Sequence, residues 1–273
     1  MQVASEAARS GDWGRAATEF SRLRAQDPRN VKWVVNHGVA LERSGDRAAA
    51  VQAYEAAYRL EPNDPSAASN LARTLVADKK LKRARRGRND ALAKHPDHPE
   101  LLAMSAAVQR LSKNYPKAAE LARRVLLRDQ KNVGAIKPLA LVYADQGKLQ
   151  LADTFFRNAL KFEENDASIY VNLGLLDDRR GRHQRALGHF EKAISIDPQN
   201  AAAHANLGAI ALRYRDYARA ASSYQKAVDH GLATCETVSA LGYAYEGAQQ
   251  GQQAVENLKK AYALCPNDAE LLY

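Results

Sequence analysis

The stretch from Asn172 to Asn200 reads NLGLLDDRRGRHQRALGHFEKAISIDPQN. Apolar residues recur at helical spacing on both sides of the polar break Arg179-Arg180-Gly181-Arg182, and Pro198 follows the second run. That order spells helix, tight turn, helix, stop. Stepping by 34 residues from Val31 recovers the same order, with starts at Pro65, Pro99, Val133, Ala167, Ala201 and Cys235. The frame extends back into a unit missing its first residues. It predicts eight repeats, 1–30, 31–64, 65–98, 99–132, 133–166, 167–200, 201–234 and 235–268, with 269–273 opening a further helix. No insertion breaks the register, so the whole of 1–273 reads as one array.

The aligned columns say how each unit packs. The twentieth position is alanine every time: Ala16, Ala50, Ala84, Ala118, Ala152, Ala186, Ala220 and Ala254. The eighth is always small, as in Ala4, Gly38, Ala106, Gly174, Gly208 and Gly242. Small residues there let two antiparallel helices approach closely. Position 24 is often aromatic (Phe20, Tyr54, Phe156, Phe190, Tyr224) and is expected to fill the gap beside the neighbouring unit. One hairpin cannot bury both of its apolar faces, so the units must stack.

These columns resemble the tetratricopeptide (TPR) repeat, and the resemblance covers the whole chain. It implies an all-α, right-handed superhelical solenoid of about eight helix-turn-helix repeats, whose first helices line a concave groove. Three central repeats depart from the pattern. Arg88 and Lys79 replace the aromatic and the turn glycine in 65–98, and Ala122 and Gln130 replace the aromatic and the proline in 99–132. Repeat 133–166 carries Pro138 near the start of its first helix, where a missing N–H costs little in the first turn. Curvature is expected to deviate here. The chain opens inside one helix and closes on Ala269-Glu270-Leu271-Leu272-Tyr273, the beginning of another. A solenoid usually caps its ends, so a continuation beyond both ends is expected, or pairing of the ends with another chain.

Composition narrows the function. No stretch approaches 18 uninterrupted apolar residues, against a membrane helix, and the N-terminus lacks the basic lead and apolar core of a signal peptide. Basic residues exceed acidic ones by nine, and the excess is lopsided: residues 1–132 carry +10 and residues 133–273 carry −1. An electrostatic partner is therefore expected on the first half. Its densest feature is KKLKRARRGR, with Lys79, Lys80, Lys82, Arg83, Arg85, Arg86 and Arg88. The run reads either as a solvated convex face or as a contact for anionic lipid, glycan or RNA. Without interleaved aromatics to stack bases, nucleic acid is the least favoured of these.

No motif of catalysis or cofactor binding is present: no GxSxG, P-loop, GxGxxG, HExxH or CxxC. No enzyme activity, small-molecule substrate, cofactor or metal is expected. The best metal candidate, His95-Pro96-Asp97-His98, offers three ligands on a proline-interrupted turn and reads as a solvated loop. His37 stands in a core column and reads as a packed residue. Cys235 opens the first helix of the last repeat and Cys265 ends its second. Antiparallel helices bring those ends together, so the pair is either a disulfide, fitting an oxidising compartment, or two small buried residues in a cytosolic protein.

Positions 2, 6, 9 and 13 of the first helix share one stripe. The sixth position holds Asn36, Asn70, Asn172 and Asn206; the thirteenth holds Arg9, Arg43, Arg179 and Arg213; the ninth adds Arg73 and Tyr243. Amides serve a peptide backbone and guanidiniums fork onto carboxylates, which points to an extended or acidic segment of a partner protein. The opposite reading has the asparagines as repeat consensus and the arginines paired with neighbours such as Glu42 or Asp178. The carboxylate clamp of chaperone-binding TPR domains is not reproduced, since Asn70 precedes a repeat carrying Glu100 and Met104.

The expected function is a non-enzymatic protein–protein interaction scaffold. The segments 204–228 and 240–268 are similar to bacterial TPR lipoproteins of gliding-motility or pilus-assembly machines, which implies a periplasmic, outer-membrane-tethered adaptor. The alternatives are a cytoplasmic location, a polyanion-binding accessory protein acting through the basic half, and the TPR segment of a larger enzyme.

Overall fold

The computed structural model describes residues 2–61, 64, 66–67, 70–71, 74 and 96–266, and every regular element among them is a helix. Fourteen are described: α1 Gln2–Arg9, α2 Trp13–Gln26, α3 Val31–Arg43, α4 Arg47–Leu60, α5 Pro99–Leu111, α6 Tyr115–Leu126 and α7 Val133–Asp145, then α8 Leu149–Leu160, α9 Ala167–Arg179, α10 His183–Ile196, α11 Ala201–Arg213, α12 Tyr217–Asp229, α13 Cys235–Gly247 and α14 Gly251–Leu264. No described helix is long and apolar enough to cross a membrane. The basic run Lys79–Arg88, with Arg73, lies outside the described residues. The chain divides into two compact units, Met1–Lys148 and Leu149–Tyr273. The division falls in the turn between α7 and α8, inside one 34-residue repeat.

Within each unit the hairpin is the building block. A side-chain cap fixes the start of many second helices: Asp46 accepts from the Ala49 N–H at 2.9 Å, and Asp12, Asn114 and Asp216 do the same three residues before Arg15, Lys117 and Arg219. The preceding turn residue takes a left-handed backbone. Glycine holds it at Gly45, Gly147 and Gly181, with φ of 96°, 75° and 72°. Lys113, Arg215 and Gln249 hold it with φ near 60° although they carry a Cβ.

The small-residue columns do their work inside the hairpin. The described alanines of the twentieth position, from Ala16 to Ala254, are all buried. A Cβ added to Gly174 would lie 2.5 Å from the Phe190 ring, and one on Gly38 would lie 2.6 Å from Tyr54. The Tyr54 and Phe190 rings therefore cover the glycine of their own hairpins, closer to home than the sequence pattern suggested. The aromatic column still reaches the next repeat: Phe190 clusters with Ala203 and Ile210, and Tyr224 with Leu241 and Ala244. One side chain thus closes a hairpin and a step of the stack, with about 1.5–3 kcal/mol from burying a large apolar group.

Pro138 corrects the expectation drawn for it. It is the sixth residue of α7, in the second turn, where the ring removes an internal hydrogen bond. The Gly134 carbonyl, four residues earlier, consequently has no amide to accept from at position 138.

Candidate functional site

The stripe expected to meet a partner runs along the first helices. Asn36, Asn70, Asn172 and Asn206 are each half-buried on it. In α9 the Asn172 amide donates to the Ser168 carbonyl at 2.7 Å, and in α11 the Asn206 amide donates to Ala202 at 2.8 Å. One amide hydrogen is thus committed to the helix itself, which fixes the side-chain orientation. What remains to each group is its carbonyl oxygen and a second hydrogen, a pair matched to a peptide bond.

The arginine column behaves differently. Arg43 lies 5.7 Å from the Trp13 ring centroid, a cation–π contact between α3 and α2. Arg213 donates to Asp178 at 2.8 Å, and His183 Nδ1 sits 2.7 Å from the same carboxylate oxygen. Burial by itself would raise the Asp178 carboxyl; the hydrogen bonds from Arg213 and His183 outweigh it and hold the group below its ordinary range. Arg179 is exposed. Arg43 and Arg213 therefore staple helices together. Tyr243 on α13 is exposed among the remaining stripe positions.

Where α5 and α7 meet, the stripe changes character. The same positions hold Glu100, Ala103, Met104 and Ala107 on α5, and Gly134 and Pro138 on α7, with Asn132 beside them. Met104 and Pro138 stand where other repeats have asparagine. The result is an open pit of about 380 Å³, near the lower end of small-ligand sites at about 300–1,000 Å³. The sequence showed Met104 and Pro138 only as departures from a pattern; reading positions 2, 5, 6 and 9 of both repeats together would have found the pit. A second hollow, about 550 Å³, lies along α8 between Gln150 and Lys161.

Of the loop considered for a metal, His95 lies outside the described residues, and the Asp97 and His98 side chains meet charged neighbours. Asp97 receives Arg124 at 2.5 Å and Arg128 at 2.7 Å, and His98 Nδ1 lies 2.8 Å from Glu100. The hydrogen bonds from Arg128, first, and Arg124 hold the Asp97 carboxyl below its usual value. His37 is half-buried, and its Nδ1 is buried with no hydrogen-bond partner among the described residues. Among the described residues no group of three or more His, Cys, Asp or Glu is arranged to hold a metal ion. Cys235 and Cys265, at the start of α13 and just past α14, are joined as a disulfide with Cα atoms 6.1 Å apart.

Comparison with known proteins agrees with this architecture. One tetratricopeptide repeat model matches residues 4–68 and 138–201, and a second matches 41–108 and 179–231. The chain belongs to the tetratricopeptide repeat family. Among solved structures it is similar to the APC/C hetero-tetramer Cut9–Hcn1, at 16% identity and a TM-score of 0.76, covering 94% of this chain and 50% of that one. Human IFIT1, solved as a dimer with PPP-AAAA, gives 17% identity and a TM-score of 0.67 over 94% of this chain and 69% of that one. PilF of Pseudomonas aeruginosa gives 18% and 0.62 over 78% and 96%. At these identities the likeness is one of fold. The chain spans half the length of the Cut9–Hcn1 chain it matches. Comparison with curated proteins finds no match. Repeats of this family make protein–protein interaction scaffolds, and that is the class to which the chain belongs.

Proposed function

We propose that this protein is a non-enzymatic adaptor that holds an extended segment of a partner protein along its first helices, within an assembly of the bacterial envelope. The observation carrying the binding part is the half-buried asparagine column. Asn172 and Asn206 are oriented by bonds to their own helices while keeping the donor and acceptor that a peptide bond needs. The pairing of Cys235 with Cys265 supports the envelope part, because disulfides persist in oxidising compartments such as the periplasm. PilF, a bacterial neighbour in fold, is consistent with it.

A photo-crosslinking amino acid placed at position 172 or 206, and at the exposed position 192 on α10 as a control, tests the reading in cells of the protein's own host. Crosslinks from the first two positions to one envelope protein, absent from 192, are expected. Equal capture from all three would defeat the binding proposal. Two freely alkylated thiols in protein taken from its native compartment would defeat the placement in an oxidising one.

A further inference from the structure

We infer that the pit between α5 and α7 is an anchor site for an extended partner peptide in which a large aliphatic side chain stands next to a lysine or arginine. The inference rests on the groove reading above and gives it a chemical specificity that the asparagine column alone does not.

Three observations carry it. The walls are apolar: Ala103, Met104, Ala107 and Pro138 line the pit, and methionine adapts its shape to a guest better than a branched side chain. The rim is made of acceptors. Since glycine has no side chain, the wall at Gly134 is main chain. Its carbonyl lacks the helical donor that Pro138 would otherwise supply, so it can accept from a guest's backbone N–H. Glu100 closes the other side, its side chain mostly exposed. His98 meets its Oε2 at 2.8 Å, and no described residue bonds to Oε1. Finally, Met104 and Pro138 hold the sixth position of their repeats, the position that Asn36 holds on α3 of the same unit, so the pit is the counterpart of the asparagine column there. An aliphatic group fits the walls, a backbone amide fits Gly134, and a cation fits Glu100. An acidic neighbour would meet a carboxylate instead.

The chain has two methionines, Met1 and Met104, which makes the test direct. Protein carrying ¹³C-methyl methionine is titrated to about 10 mM with short Gly/Ser peptides containing Leu-Lys, Leu-Glu or Ala-Lys. The Leu-Lys peptide is expected to move the Met104 methyl signal and leave Met1 in place. The Leu-Glu and Ala-Lys peptides are expected to bind at least about threefold more weakly, and Glu100→Gln to reduce the preference for Leu-Lys over Leu-Glu.

Gly134→Ala and Pro138→Ala complete the set. Both substitutions favour the helix, so lost binding cannot be put down to unfolding. The first adds a methyl group to the wall of the pit, and the second returns an amide to the Gly134 carbonyl; each is expected to weaken the Leu-Lys peptide by about threefold or more. A Met104 signal that no peptide moves, equal response to Leu-Lys and Leu-Glu, or full affinity in both variants would overturn the inference. The side-chain amides of Asn172 and Asn206 separate the two levels. If they respond while Met104 does not, the pit fails and the groove stands; if neither responds, both fail.

Discussion

Arg213 reaches back 35 residues to Asp178, from the end of α11 to the end of α9, at 2.8 Å. Arg110 and Asp145 bridge the ends of α5 and α7 over the same separation at 2.7 Å, with the charges exchanged. In repeat coordinates both pairs join position 12 of one unit to position 13 of the next. The register of the repeat, more than the sign at either site, decides which side chains meet. Exchanging the charges, Asp178→Arg with Arg213→Asp, should therefore be tolerated. Each single substitution is expected to cost about 0.5–1 kcal/mol, the range for partly exposed pairs, and the double variant to recover most of it. Urea midpoints of the four proteins check this; a double variant no better than the sum of the singles would show that the pair is not interchangeable.

Glycine at position 174 is held by packing. Alanine there would gain about 1 kcal/mol of helix propensity, but its Cβ would sit 2.5 Å from a Phe190 ring that is itself fully buried. Overpacking costs about 1–3 kcal/mol, so Gly174→Ala should destabilise. Trimming the ring with Phe190→Leu in the same background should recover part of the loss. At Gly134, by contrast, the nearest atom to an added Cβ is Asn132 Oδ1 at 3.2 Å, and alanine should be neutral or stabilising. Thermal melts of the three variants decide whether steric contact or propensity rules each site.

The hairpin architecture was legible from the sequence because alanine at position 20 and a small residue at position 8 are requirements of helix approach, which a column displays directly. The site was less legible. Arg43 and Arg213 lie on the stripe that an unbound guanidinium would occupy; pairing with Asp178 is one of two readings open in the sequence, and the fold decides it for Arg213, while Trp13 beside Arg43 shows only in the fold. The pit at Met104 and Pro138 arises from what two adjacent repeats lack, so neither column shows it alone.

Arg215 and Gln249 adopt a left-handed backbone, each with φ of 60°, where Gly45 and Gly181 serve other repeats. A side chain in that region costs about 1–2 kcal/mol, and glycine gives back part of the gain through its freer unfolded chain. Arg215→Gly and Gln249→Gly should each stabilise by roughly 0.5–1 kcal/mol, raising the melting temperature by about 1–4 °C. Gly181→Ala, at φ of 72°, should move it the other way. Unchanged melting in all three would mean that these turns relax freely.

Acid should weaken the fold in two separate windows. Burial depresses His189, partly opposed by Asp177, and burial with the nearby Arg24 charge depresses His37; both lie below the ordinary 6.5. Below that value the unfolded chain takes up protons that the folded chain resists, so stability present above about pH 6.5 is lost as pH falls toward the folded values. Asp97 and Asp178 are held below their ordinary 3.8 by arginine partners. Their contribution is intact above that point and disappears only in stronger acid. The urea midpoint should thus be lower at about pH 5.5 than at about pH 7.5, before any carboxylate effect begins. In the His37→Gln, His189→Gln double variant this slope should flatten while the loss in stronger acid persists. A slope unchanged in the double variant would assign the first window to other groups, and loss of both windows together would point to a general expansion of the fold.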